Sequence, residues 1–535
     1  MRVAQQKTTA QSAQRTKRSQ MFFRYVLCVF ASFALLTMPA AAQAPPCGYV
    51  DALDFPVDPA LFTLAQDYGA PSPRHQGRYH TGEDWTLRDD PARSEGQFVR
   101  AIADGRVLYS SPNGWGGDGG VIMVEHSFPD DSIATSLYGH LTDATGVQFP
   151  AVYACVKRGD ILAAIGDVRP APHVHIEIRA EASSTPGAGY SWDNPTVLGH
   201  RRPSKFILNW QLWLSDAYRW HLDLGDETGA AAPPVRLEDE SLIYVDRDRL
   251  ARVNPNGGVL WRVNLDARPL WIYLGQVNAS VALSSGEIVT YAPDGSAVSS
   301  WNAGEPLRAA LPGYIAETTA GDWIEMAQSS PVWRESDMPP IAELRFTNGG
   351  IVIRTTDNQM ITLDPSGGVL DRAQLREAAS LALDADGVPL VYSRGGLWRI
   401  ENQTGDVVWT PALTFAPAGG ARSAVHADAD GYTLFDGERL LRYRRDGGAL
   451  WATPFAASVG AAQLQRVDSY YLLTTNDGDI AAFRVTDGAL CNQARAFGDG
   501  RSRMWASVGT DGLLRAHVAD QIVALDWRDF LGACA

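Results

Sequence analysis

The chain has 535 residues, 45% of them hydrophobic and 20% charged, with a formal net charge of −15. That length exceeds one ordinary hydrophobic core, so two or more domains are expected. The acidic balance excludes non-specific nucleic-acid binding, which needs a basic footprint.

Residues 1–42 read as a signal peptide. Arg2, Lys7, Arg15, Lys17, Arg18 and Arg24 form a basic leader, Tyr25 to Met38 is apolar, and Ala40-Ala41-Ala42 supplies small residues for cleavage. The alternative is an uncleaved anchor, the one route by which this sequence implies a membrane. No lipobox precedes Cys28 or Cys47. Export implies a periplasmic or extracellular, oxidising setting, and disulfides among Cys47, Cys155, Cys491 and Cys534. Four cysteines allow three pairings. The simplest joins sequence neighbours, Cys47 with Cys155 and Cys491 with Cys534.

From 47 to about 200 the chain reads as a compact all-β domain. Short apolar runs such as Phe98 to Ile102, Arg106 to Tyr109, Val121 to Val124 and Ile161 to Ile165 alternate with turns. The glycine-rich run Gly114 to Gly120 has no Lys-Ser/Thr after it and reads as a loop rather than a phosphate cradle. Seven of the ten histidines fall in this part. In Pro172-His173-Val174-His175-Ile176-Glu177-Ile178-Arg179, alternation puts Val174, Ile176 and Ile178 on one strand face and His173, His175, Glu177 and Arg179 on the other. Upstream stand His80-Thr81-Gly82-Glu83-Asp84 and Tyr138-Gly139-His140-Leu141. No cysteine pair has zinc-ligand spacing, so a metal site here would use His and Asp. Thr81-Gly82 disfavours a helix, so His80 and Asp84 are expected to reach a metal from a strand end and a loop. His75, His126 and His200 carry no motif and read as structural, with a rim role open for His75.

These motifs, with Val156-Lys157-Arg158-Gly159-Asp160 and Gly166 between the last two, resemble in order and spacing the lysostaphin-type (LytM-domain) zinc endopeptidases, which cut the peptide part of bacterial peptidoglycan. The resemblance covers about residues 70 to 180. It implies Zn²⁺ held by His80, Asp84 and His175, with His140 and His173 as catalytic residues. The chemistry is consistent. Two neutral His and one Asp leave zinc a net positive charge and an open position, and two further His suit proton transfer and oxyanion stabilisation.

Phe206, Trp210, Trp213, Ala217 and Trp220 follow at helical spacing, although Phe206 to Trp210 could equally start a strand; the stretch reads as a strap packing on one of the domains, with the peptidase domain bounded at 224. Residues 225–235 read as a linker. From 236 to 535 an Asp/Asn-Gly turn followed by two residues and Trp recurs: Gly257 to Trp261, Gly405 to Trp409, Gly447 to Trp451, with weaker copies at Trp301 and Asp371 and with Cys491 in the Trp slot. The next copy is expected at Phe530-Leu531. A period of about 40 residues with short strands means a β-propeller. The interval from Trp301 to Asp371 holds one blade with an insertion or two degenerate ones, giving seven blades, with eight as the alternative. The repeats resemble quinoprotein-like (PQQ-type) propellers in blade-packing residues, which implies a fold and not a quinone. Asp384 to Gly387 and Asp428 to Gly431 read as turns rather than calcium loops. His426 and His517 read as structural.

The expectation is therefore an all-β chain: a LytM-type peptidase domain, then a propeller that is a scaffold or binds a protein partner and closes through a strand near 236–250. The expected substrate is peptidoglycan peptide. A non-catalytic regulator of the envelope and a zinc protease of protein substrates are the alternatives.

Overall fold

The computed structural model describes residues 45–224, 232–327, 331–347, 349–375, 380–393, 396–403, 406–413, 423–455, 462–498 and 504–534. The expected signal peptide and most of the expected linker lie outside them. The chain divides into two compact units, Met1–His200 and Arg201–Ala535.

The first unit is built on one antiparallel sheet whose spatial order runs Phe62–Gln66, Glu83–Leu87, Val174–Arg179, Ile133–Thr142, Gly120–Ser127, Gly105–Ser111 and Cys155–Val156. Val174–Arg179 is central. Val174, Ile176 and Ile178 are buried as alternation requires, and so are His175 and Glu177 on the other face. Register does the positioning: His175 stands opposite Asp84 on one neighbour and opposite Gly139, the residue before His140, on the other. A small sheet of Pro71–Ser72, Arg78–His80 and Tyr190–Ser191 brings His80 in. A Cys47–Cys155 disulfide ties the chain before the first strand to the edge strand.

The second unit holds eight four-stranded antiparallel sheets among the described residues. Seven follow one another, from Val235–Arg236 to Leu490–Arg495. The eighth combines Trp505–Val508, Leu513–Val518 and Gln521–Asp526 with an outer strand from far upstream, Tyr218–Asp223. Four expectations are corrected here. Among the described residues there are eight blades, the alternative rather than the seven first expected, because the interval from Trp301 to Asp371 holds two. The first of these ends in an outer strand of only two residues, Arg334–Glu335, which lacks the Asp-Gly signal. The closing strand is Tyr218–Asp223, not one near 236–250, so residues 201–224 belong with the propeller rather than the peptidase domain. The helical spacing holds only over Pro203–Trp213, after which Trp220 lies on a strand. At Phe530-Leu531 the chain forms a helix, Trp527–Leu531, instead of a further repeat.

Closure is cemented by several contacts. Arg236 Nη1 donates to Val508 O (2.6 Å) and Thr510 N to Glu240 Oε1 (2.9 Å), joining first and last blades. Lys205 pairs with Asp520, and Arg219 Nη2 with Asp526 Oδ2 (3.0 Å). Leu212, Ala217, Trp527, Phe530 and Leu531 share one core with the last two blades. A Cys491–Cys534 disulfide fixes the C-terminal turn to the seventh blade. The Asp384 and Asp428 loops are turns whose carboxylates accept main-chain N–H groups and pair with Arg399 and Arg442.

Candidate metal centre

Three buried side chains converge where the two sheets of the first unit meet. His80 Nε2 lies 2.9 Å from His175 Nδ1 and 3.2 Å from Asp84 Oδ1, and His175 Nδ1 lies 2.9 Å from Asp84 Oδ1. Asp84 is on the strand Glu83–Leu87 and not in a loop as expected. Among the described residues this is the one group of three or more His, Cys, Asp or Glu side chains placed to hold a metal ion.

The tautomers decide what these atoms are. His80 Nδ1 lies 3.1 Å from Asp67 O, which can only accept, so the ring proton is on Nδ1 and Nε2 carries a lone pair. His175 Nε2 lies 3.1 Å from Glu177 Oε1, which by the same reasoning places its proton there and a lone pair on Nδ1. Two lone pairs and a carboxylate oxygen therefore face one another without a donor, an arrangement that calls for a cation. Their separations are up to about 0.4 Å shorter than the edge of a tetrahedral zinc site, where ligands about 2.0–2.1 Å from the metal stand about 3.3 Å apart, so a small outward movement would seat the ion. Without a metal the cluster draws in a proton. Burial acts to lower the His175 imidazole, but Asp84 and Glu177 outweigh it and raise it to about 9. Burial acts upward on Asp84, but the neighbouring His175 and His80 imidazoles outweigh it and hold Asp84 well below the usual carboxylate range.

Glu177 is fully buried and accepts from Thr81 Oγ1 (2.5 Å), His175 Nε2, and Arg179 Nε (3.0 Å) and Nη2 (2.7 Å). Arg179 in turn donates to Thr185 O and Pro186 O, tying down the loop ahead of Tyr190.

His140 and His173 stand beside the cluster, with ring centroids 4.5 Å apart. Each donates Nδ1–H to a carbonyl, His140 to Asp118 O (2.8 Å) and His173 to Ala171 O (2.7 Å), which leaves both Nε2 atoms as open acceptors. His173 Nε2 is 3.6 Å from Asp84 Oδ2. His140 adopts a left-handed backbone conformation (φ 62°), uncommon for a residue with a side chain. Burial, then the His173 and His175 imidazoles, push it down to about 3.

All five residues singled out from the motifs thus come together. Others carried no such signal. Trp115, from the glycine-rich loop, packs edgewise on His140 (5.0 Å between centroids) and His175 (5.3 Å), and its Nε1 donates to Gly187 O (2.8 Å). A side chain on Gly139 would occupy the space of the Trp115 ring, which is why the residue before His140 is glycine. Tyr190 packs on His80 (5.1 Å) and stacks with His75 (3.7 Å), so His75 has the rim position left open for it. Glu177 was visible in the alternation as a same-face neighbour of His175, but not as its hydrogen-bond partner. His126 is buried between Asp104 O and Ser136 Oγ, a structural role. His200 Nδ1 lies 3.6 Å from Glu177 Oε2.

Residues 78–186 match the family model of peptidase family M23. Residues 323–526 match the model described as outer membrane protein assembly factor BamB. No curated protein matches the chain. Solved structures similar to it include BamB from Moraxella catarrhalis, at 15% identity and a TM-score of 0.40, covering 58% of this chain and 99% of that one. Sqt1 from Saccharomyces cerevisiae has 10% identity and a TM-score of 0.46, over the same shares. The quinohemoprotein alcohol dehydrogenase from Comamonas testosteroni has 11% identity and a TM-score of 0.41, over 58% of this chain and 76% of that one.

Proposed function

We propose that an M23-type peptidase domain joined to a BamB-like propeller makes this protein a zinc-dependent endopeptidase of the bacterial cell envelope, with peptidoglycan peptide cross-links as its substrate. The observation that carries this reading is the convergence of the His80 Nε2 and His175 Nδ1 lone pairs on Asp84 Oδ1. Two disulfides fit an oxidising compartment, and so a periplasmic or secreted location.

His80, Asp84 and His175 would hold Zn²⁺, and Glu177 fixes the tautomer that lets His175 bind through Nδ1. Zinc at such a site supplies Lewis-acid chemistry, polarising a carbonyl and lowering the pKa of water to about 7. His140 and His173 supply the rest. With protons anchored on Nδ1, their Nε2 atoms take a proton from the attacking water, return it to the leaving amine, and, when protonated, donate to the developing oxyanion. Trp115 holds His140 and His175 from the side. The propeller serves as scaffold or as a docking module for a protein partner.

The test is incubation of mature protein with purified peptidoglycan, with and without chelator, followed by mass spectrometry of the products. Chelator-sensitive release of peptide fragments is expected. Zinc-loaded protein that releases none would overturn the reading.

A further inference from the structure

We propose that one face of the small sheet beside the metal centre is a docking rim for a carboxylate on the substrate peptide, gripped by Arg74 and Arg78 above Trp192. This rests on reading the site as a peptidase and names the class of peptide it takes.

The face is defined by register. Tyr190 pairs with His80 and Ser191 with Tyr79 across antiparallel strands. Alternation then places Arg78 on the same side as His80, and Trp192 on the same side as Tyr190. Arg78 lies two residues from a metal ligand, roughly 7 Å along the strand. An extended peptide advances by a similar distance over two residues, so the grip falls about two residues from the bond over the metal. Arg74 sits in the turn Pro73–His75, next to the His75 that stacks on Tyr190.

The chemistry of the face points to an anion. Between residues 45 and 200 acidic side chains outnumber basic ones two to one, and several of the basic ones are engaged: Arg106 with Glu125, Lys157 with Asp104, Arg158 with Asp54, Arg179 with Glu177. Arg74 makes no ion pair or hydrogen bond among the described residues. Among the described residues the Arg78 side chain donates only its Nε, to His75 O (3.1 Å), which leaves its terminal nitrogens for a carboxylate. Its guanidinium lies over the Trp192 ring (5.7 Å), which is 65% exposed and has no core to fill. A cation over an open aromatic floor, one step from the metal, fits a residue with an apolar stem and a free carboxylate.

The test measures binding, not turnover. A fluorescein-labelled tetrapeptide containing one glutamate and its glutamine twin are titrated against the full mature protein loaded with zinc, with anisotropy as the readout. Wild type is expected to prefer the glutamate peptide roughly fivefold. The double variant Arg74→Gln/Arg78→Gln should lose that preference while keeping its zinc and its melting temperature. Arg93→Gln, an exposed arginine elsewhere in this unit, should keep it. No preference in wild type, a preference that survives the double variant, or an equal loss in Arg93→Gln would each overturn the proposal. If the preference behaves as expected but no peptidoglycan is cut, the peptidase reading fails and the carboxylate rim stands.

Discussion

The indole of Trp220 lies against Gly257. Gly257 has φ +84°, and a Cβ added there would stand 2.8 Å from Trp220 Cγ, while Trp220 Nε1 donates to Pro255 O at 2.7 Å in the same turn. The arrangement recurs around the propeller, with Trp261 on Gly295, Trp333 on Gly367 and Trp451 on Gly488. The repeated turn glycine and Trp are two halves of one contact between consecutive blades, in which the glycine leaves room for the previous blade's ring. Trp220 supplies that ring for the first blade from the strand that closes the last.

Gly257→Ala should therefore destabilise the propeller by about 2 kcal/mol or more, because left-handed strain of about 1–2 kcal/mol is joined by a clash with the ring. Gly512→Ala is the control: φ is +77° but nothing lies within 4 Å of the added methyl, so strain alone remains. Denaturant unfolding of both variants should show the larger loss at 257.

The closing strand predicts which fragments fold. A chain beginning at residue 201 should give a cooperative propeller. One beginning at 225 should lack the outer strand of the eighth blade and expose the edge of Gln521–Asp526. Circular dichroism melts and sedimentation should show a sharp transition and monomers for the first, and a broad or early transition with aggregation for the second.

Ligands and proton-handling residues should fail differently. His175→Ala removes a donor atom from the cluster, so zinc content and activity should fall together. His140→Ala and His173→Ala should keep near-full zinc while the rate drops by about 10²–10⁴-fold. Metal analysis and turnover on the same preparations check this. Zinc loss in His173→Ala with retention in His175→Ala would reverse the roles.

Glu177→Gln should weaken zinc binding by about 10–100-fold without removing a ligand. The amide can turn its oxygen to His175 Nε2–H, but it leaves Arg179 without its carboxylate. Competition with a chelator of known affinity measures the change.

Stability should fall on mild acidification. Burial pushes His126 down to about 4, and His517, 2% exposed and with no partner for Nε2 among the described residues, also to about 4. Both are neutral when folded and take up a proton on unfolding, near the ordinary value of 6.5. Their contribution is present above pH 6.5, shrinks as pH falls toward 4, and amounts to at most about 3 kcal/mol each. Unfolding free energies for His517→Gln between pH 7 and 4 should decline less steeply than those of wild type.

The sequence by itself determined which five residues to look for at the site and the class of each domain. His80, Asp84, His140, His173 and His175 were legible because each lies in a short motif whose residue types have few other uses in that order, and a strand's two-residue period transmits His175 and Glu177 to one face without tertiary information. Four cysteines left three pairings open in the sequence, and the structure has the simplest of them, Cys47–Cys155 and Cys491–Cys534. Only the tertiary structure decided that Glu177 anchors His175, that Trp115 braces two imidazoles from a loop, and that Tyr190 carries His75 to the rim, since each contact is made across strands whose pairing has no local signature. The same holds for the propeller. Its period was written in the turn glycines and tryptophans, yet the blade ending at Arg334–Glu335 hid because no Asp-Gly turn precedes its Trp333. The closing strand hid because Tyr218–Asp223 meets Gln521–Asp526 some 300 residues later, and an open sheet edge is satisfied by whichever strand the folded chain brings to it.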